Sequence, residues 1–347
     1  MKNRGIGAKL TLSIVVLLTL TCAVLGVSSY YNSYNSLEIQ IRDNLQSKAG
    51  DVSHYIEEFF KRTHTEIQGI AEQSAIQNMN FTEQTAYLNK RLAESEDYLG
   101  FGIVDANGVA RYLDDTTADL ADRAYIQAAF EGKTAMSDTI ISRVTNEPVI
   151  MIATPIETVT GEKALLLARM DGYFLSSVLE DIVVGKTGYA YLINEEGTIQ
   201  AHPNHEYVKE QVNFLTKAKE SDKMTGEALA VEELISNEEG FFEYKDTNGD
   251  NHFLGYHTLD NGWSIGIMAK ENEMFVSLMK MRITLTISTF SVLFIGLIIA
   301  FFLSNSISRP IREVVKVSEF IGQGDFTQKP HERLQKRHDE LGVLSRS

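Results

Sequence analysis

The sequence predicts an α+β protein that crosses a membrane twice, with a long stalk helix and two mixed α/β modules between the spans. Three observations carry this. Two segments of the 347-residue chain are apolar and charge-free over the thickness of a bilayer. A helical periodicity of apolar residues follows the first of them. Beyond it, the period changes to alternating or continuous β-like runs separated by turn residues. Averages hide this organisation. At 44% apolar and 23% charged, with a formal net charge of −15, the chain reads as an ordinary soluble protein, apolar enough to build cores and so not disordered. An acidic balance without a Lys/Arg stripe argues against nucleic acid as a partner. The single cysteine, Cys22, leaves no intramolecular disulfide and no thiolate metal site.

Residues 1–9 precede the first apolar segment, 10–30, which holds the run Leu10 to Val27; no charge occurs between Lys9 and Glu38. The second segment, 281–303, contains Ile283 to Leu303 between Arg282 and Arg309. Twenty-one helical residues rise roughly 31 Å, enough to span the hydrocarbon. A cleaved signal peptide is the alternative for the first segment, with Lys2, Arg4 and Lys9 as its basic region. Its 18-residue apolar run is longer than usual, and Thr-Leu-Thr before Cys22 fits a lipoprotein cleavage box poorly, so an anchor is expected. Bases before the first span, and Arg309, Arg312 and Lys316 after the second, orient both termini to the cytoplasm of a cell-membrane protein. Residues 31–280 are then outside. They hold 20 bases against 41 acids, a net of −21, so the acidity belongs to the outer region.

Apolar residues at Leu37, Ile41, Leu45, Val52, Ile56, Phe59, Ile67 and Ile70 predict one amphipathic helix from about Ser28 to Ala75, the main part of a stalk assigned to 31–97. Strands are predicted at Tyr98–Val104, Val109–Leu113, Val149–Glu157 and Lys163–Met170, with a short helix near Asp122–Glu131, making a module over 98–180. A second set, Gly188–Asn194, Thr198–Ala201, Gly240–Asp246, Asn251–Thr258 and Trp263–Ala269, makes a module over 181–275. Turns at Asp105 to Gly108 and at Glu195 to Gly197 repeat a strand, glycine turn, strand pattern.

Several motifs tempt and fail. Val184 to Gly188 resembles the end of a phosphate loop, but Glu180 stands where the first glycine belongs and a strand follows. Asp246 to Asn251 resembles a calcium loop, yet Asn251 and His257 occupy the positions of its glycine and bidentate glutamate. His202 and His205 have no partners at ligand spacing, and no catalytic constellation is present. No enzyme activity, metal or cofactor is therefore expected. What remains is a polar cluster in the first module: Arg123 and Tyr125 on the short helix, Asp138 and Arg143 after it, Asp171 closing the last strand, and Tyr112 on the second strand. A guanidinium can hold a carboxylate bidentately and an opposed carboxylate can receive an ammonium. Surface ion pairing of the same residues is the plain alternative.

The segments Asp122-Arg-Ala-Tyr-Ile126, Ser137 to Ile156 and Gly185-Lys-Thr-Gly-Tyr-Ala-Tyr-Leu-Ile193, after a span and a long helix, resemble the double Cache sensor domains of bacterial methyl-accepting chemoreceptors. That resemblance implies two PAS-like modules outside the membrane, with the distal one binding a small extracellular molecule. In the amino-acid-recognising subset, an arginine followed by two aromatics, further tyrosines and a closing aspartate hold the ligand. Arg123 and Asp171 match, and Tyr125 replaces the first aromatic. Ile126, Ala118 and Ile140 stand where other aromatics belong, a departure from ordinary amino-acid recognition, while the retained charged pair Arg123 and Asp171 favours a ligand with an amine or zwitterionic end. Ser308-Arg-Pro310-Ile311, the apolar positions Val314, Val315, Phe320 and Ile321, the connector Gly322 to Phe326, and Asp339 to Gly342 resemble a HAMP linker over 304–347, incomplete at Ser347. The resemblance implies a homodimer or larger array, because one HAMP unit cannot bury its apolar stripe alone. A downstream kinase and adaptor follow only if an output module does, and its absence suggests a truncated product or a fragment. A histidine kinase or cyclase output, and an anchored enzyme or adhesion module, remain alternatives.

Overall fold

The computed structural model describes residues 6–220, 225–325, 327, 329 and 331–346. Lys2, Arg4, Phe326 and Ser347 lie outside the described residues. The chain divides into two units, one running from Glu38 to Phe275 and the other combining the chain up to Leu37 with the chain from Val276 onward.

In the second of these, helix α1 (Ile6–Ala71) supplies its first part and α10 (Val276–Gly322) runs 47 residues with Pro310 inside it. Both are long and apolar enough to cross a membrane. They approach closely where Gly7 faces Ser304 and Ser308 and where Gly296 faces Leu18, the small-residue contact that lets membrane helices pack backbone to backbone. Short helices α11 (Glu332–Gln335) and α12 (Glu340–Arg346) follow.

In the Glu38–Phe275 unit, the rest of α1 forms the spine. The helix ends at Ala71, so residues 31–97 are not one stalk helix. The chain turns through α2 (Ser74–Gln77) into α3 (Phe81–Glu94), where Met79 takes φ 55° and the Asn80 side chain caps α3 by accepting from Thr82 and Glu83 N–H groups. Helix α3 is tied back by Arg91 to Glu66, 3.0 Å, and the Tyr98 hydroxyl donates to the same carboxylate.

The first module is an antiparallel sheet. Its strands are β1 (Tyr98–Val104), β2 (Val109–Tyr112), β3 (Thr117–Asp119), β4 (Ala135–Met136), β5 (Ile140–Ile141), β6 (Pro148–Glu157) and β7 (Lys163–Asp171), in the order β3-β2-β1-β7-β6-β4, with β5 also on β6. Because both faces are covered, β6 and β7 are buried almost throughout and read as continuous apolar runs. On one face, Tyr125 and Ile126 of α4 (Ala124–Phe130) pack with Tyr112, Met151 and Leu167 of the sheet.

After α5 (Phe174–Glu180) comes the second module, with strands β8 (Tyr189–Ile193), β9 (Ile199–Ala201), β10 (Glu239–Lys245), β11 (Asn251–Thr258) and β12 (Ser264–Lys270) in the order β10-β11-β12-β8-β9. Helices α6 (His205–Lys209), α7 (Phe214–Glu220) and α8 (Gly226–Ser236) cover its outer face, and α9 (Glu271–Met274) follows β12. Each module opens with a hairpin and pairs its first strand with its last, β1 with β7 and β8 with β12. The hairpins turn through Gly108 at φ 84° and Gly197 at φ 81°, backbone that only glycine adopts without strain. Helix α1 touches both modules: Phe60 meets Trp263 edge-on at 5.6 Å, Phe59 stacks on Phe174 at 4.7 Å, and Arg42 lies 5.0 Å from the Phe241 ring.

Candidate functional site

A cavity opens in the first module on the face that carries α4. Tyr112 from β2, Arg123 and Tyr125 at the start of α4, Val149 and Met151 from β6, and the segment Ile140 to Val144 surround it. Ala118 and Ile140, the two positions where the resembled family carries tyrosines, are both in its wall. Yet the space left is about 10 Å³, room for about one water, because aliphatic side chains fill it.

Arg123 precedes α4 in extended backbone, and its carbonyl accepts the first helical N–H bonds from Ile126 and Gln127. Its Nε is buried and has no acceptor among the described residues. A guanidinium held so is a donor in search of a carboxylate. Burial pushes the Tyr125 hydroxyl up to about 12 and raises that of Tyr112 as well, so both stay protonated donors at neutral pH. Across the mouth, Arg143 makes a bidentate pair with Asp122, 3.0 and 2.6 Å, and also donates to the Asp119 carbonyl at 2.6 Å. The Arg143 hydrogen bond holds the Asp122 carboxyl below its usual range. This pair is solvent-exposed and ties the Ile140–Val144 segment to the start of α4.

The structure thus brings Tyr112, Arg123 and Tyr125 together. Asp171 does not line the cavity. It ends β7 opposite Val149, exposed, with Oδ1 accepting from the Tyr173 N–H at 2.9 Å. Asp138 is elsewhere altogether: Oδ1 accepts from Trp263 Nε1 at 2.9 Å and Oδ2 from Asn194 Nδ2 at 2.8 Å, both in the second module. Next to it, the Thr139 N–H donates to Gln200 Oε1 at 2.7 Å, its hydroxyl donates to the Gln200 carbonyl, and its carbonyl accepts from Gln211. Asp138 is therefore corrected from a ligand contact to a module joint. A wider groove of about 660 Å³ runs along this joint, between His54, Glu57 and His64 of α1, Asp138, and Asp260 and Trp263.

Arg169 was not singled out in the sequence. Its guanidinium carbon lies 5.5 Å from the centre of the Tyr112 ring, and its Nε is buried without a partner among the described residues. The signal was available: two residues before Asp171 on a strand, it shares that residue's face.

Two sheet modules stand on one helix, and an arginine and tyrosines meet at a cavity in the first. The chain belongs to the Cache-domain family, whose dCache_1 model matches residues 33–278. Over all of its length it is 21% identical to the methyl-accepting chemotaxis protein TlpA of Bacillus subtilis strain 168. It covers 50% of that protein, and the chain spans about half the length of the curated relatives it matches. Among solved structures it is similar to the ligand-binding domain of the Pseudomonas fluorescens chemoreceptor CtaA in complex with L-isoleucine, with TM-score 0.55 and 19% identity over 71% of this chain and 98% of that one. It is similar also to the ligand-binding domain of Mlp24 with asparagine, with TM-score 0.53 and 18% identity over 70% and 98%. At these identities the likeness to solved structures shows the fold. Homology to chemotaxis receptors, and two apolar helices flanking the Cache domain, are properties of this chain.

Proposed function

We propose that the chain is the sensory half of a transmembrane chemoreceptor, with residues 31–280 outside the cell and both termini in the cytoplasm. A small polar ligand with an amine or zwitterionic end enters the first-module cavity. Arg123 takes its carboxylate or other acceptor, Tyr112 and Tyr125 donate from the walls, and Asp171, outside the closed cavity but paired in register with its lining residue Val149, receives the ammonium group once a wall has moved. The ligands named for the neighbouring chemoreceptor domains, isoleucine and asparagine, have this chemistry.

The observation that carries the reading is the segment Asp138–Arg143. Its later residues, Ile140 to Arg143, form one wall of the cavity, and its first two, Asp138 and Thr139, are bonded to the second module. At about 10 Å³ the cavity admits an amino-acid-sized ligand only by moving a wall. Strand β5 is the wall most easily moved, for it meets β6 at only two register positions, Ile140 with Val149 and Ile141 with Pro148. A ligand that binds the opened form better shifts the population toward it. The displacement reaches Trp263 beside β12, and the chain leads from β12 through α9 into α10. Helix shifts of ~1–2 Å are the usual currency of such coupling.

Beyond the second span, Pro310, the end of α10 at Gly322, the turn at Gly324 with φ 88°, and α12 beginning at Glu340 support a HAMP linker over 304–347. Val315, Phe320 and Ile321 are exposed in the single chain, which favours a homodimer. Calorimetry of the full chain in nanodiscs against a panel of amino acids and amines tests the site. At least one ligand is expected to bind, and Arg123→Ala and Asp171→Ala are each expected to weaken it at least tenfold. Binding unchanged in both variants would remove the site assignment.

A further inference from the structure

The four arginines of the first module are Arg111, Arg123, Arg143 and Arg169. Two are engaged in exposed ion pairs, Arg111 with Asp115 at 2.6 Å and Arg143 with Asp122 at 2.6 Å. The other two are half-buried, and each keeps a buried Nε without an acceptor. Among the described residues, neither Arg123 nor Arg169 has a carboxylate within ion-pair distance, although the outer region holds 41 acids to 20 bases. A guanidinium does not give up its proton, so burial without a partner leaves a charge that only an anion can balance.

Both unpaired arginines meet at Tyr112. Arg123 lines the cavity with it, and Arg169 Cζ lies 5.5 Å from the centre of its ring. Strand β7 puts Arg169 on the cavity face, because side chains two apart on a strand share a face and Leu165 and Leu167 belong to the same core cluster as Tyr112, Tyr125 and Met151. In register, Arg169 is opposite Met151 of β6, a cavity residue, and on its other side opposite Gly100 of β1. Two glycines of β1 clear the space: a Cβ on Gly100 would sit 3.3 Å from Arg169 Nη2, and one on Gly102 3.2 Å from Tyr112 Cδ1. The guanidinium and the ring can therefore lie close over β1, within cation–π range. Burial raises the Tyr112 hydroxyl, and the charges of Arg169 and Arg123 both act against that rise. Arg169 is not in the wall of the closed cavity, but its neighbours Tyr112 and Met151 are.

One guanidinium suffices for one carboxylate, and a second, unpaired on the same face, calls for another anionic group. We propose that Arg169 is a specificity-determining residue of the first-module site, and that the ligand is an acidic amino acid whose second carboxylate Arg169 receives. This rests on the reading in which Arg123 takes the first carboxylate and Asp171 the ammonium group. Asp171 follows Arg169 on the same strand face and does not pair with it, its Oδ1 accepting instead from the Tyr173 N–H.

Titration calorimetry of the full chain in nanodiscs compares L-aspartate with L-asparagine and L-glutamate with L-glutamine, pairs of like size that differ in the second carboxylate. At least one acid is expected to bind roughly tenfold or more tightly than its amide. Arg169→Met, which keeps an unbranched stem beside Tyr112, is expected to remove that preference and leave amide binding unchanged. Arg169→Lys, which keeps the charge and loses the planar fork, is expected to restore part of it. Arg123→Ala is expected to weaken acid and amide alike. Equal binding of acids and amides, a preference that survives Arg169→Met, or an equal loss of acid and amide in that variant would each overturn the role of Arg169 while leaving the cavity assignment standing. Binding of none of the four, or binding indifferent to Arg123→Ala, would overturn the cavity assignment and this inference with it. Thermal unfolding of each variant identifies any loss that comes from misfolding instead.

Discussion

The two modules share a strand order and differ in what they place on the same face. In the first, Arg123, Arg143 and Arg169 surround tyrosines at an aliphatic cavity, and no histidine occurs between residues 98 and 180. In the second, tyrosines meet His202 and His252, and His252 in turn pairs with Asp246. The shared scaffold fixes where a pocket can form, while the charge on that face decides what it can hold. The acid Asp138 belongs to neither face; it joins the two.

The largest expected difference between the modules is in acid. Burial depresses the His202 pKa from 6.5 to about 4, so between those values the unfolded chain takes up a proton that the folded chain refuses. Stability from this residue is complete above pH 6.5 and falls as pH drops toward 4, by about 3 kcal/mol in all. Burial lowers the His64 pKa too, which adds a loss of the same sign on α1. Hydrogen exchange at pH 4.5 against pH 7 is expected to loosen the second module before the first, and His202→Phe to reduce the difference.

Next in size is the joint. Asp138→Asn replaces two bonds to a carboxylate by one acceptor and one misplaced amide, and it is expected to cost about 2 kcal/mol in denaturant unfolding of the full chain. If the modules unfolded in separate transitions in the variant but together in the parent, that would show the joint makes them cooperative. Smallest is the exposed pair across the first cavity: Asp122→Ala is expected to change stability by less than about 1 kcal/mol. Because the pair ties down the wall proposed to open, the same variant is expected to raise the ligand association rate, which stopped-flow mixing would measure.

Much of this architecture was legible in the sequence for physical reasons. Strand β1 was readable from its apolar run and β11 from its alternation within turn boundaries, and both have the predicted bounds. The short strands β3, β4 and β5 were not, since two or three residues carry no period and exist only because β2 and β6 pair with them. The end of α1 at Ala71 was also hidden, because apolar spacing continues to Ile76, which α2 buries by turning back. At the site, Arg123 could be named from its place at a helix start, and Ala118 and Ile140 reached the wall that the family pattern implied. Asp138 could not be placed. Its partners, 56 and 125 residues away, are set by packing of one module on the other, and a lone acid after a short strand fits a ligand or a joint equally.

The central claim is that occupancy of the first-module cavity is felt at Asp138. Trp263 is the only tryptophan in the chain and donates to that carboxylate, so its emission reports the joint directly. With the full chain in nanodiscs, a ligand found by calorimetry is expected to shift Trp263 emission along the same saturation curve as its heat, and Arg123→Ala to abolish both. Binding that saturates while Trp263 emission stays unchanged would contradict the account.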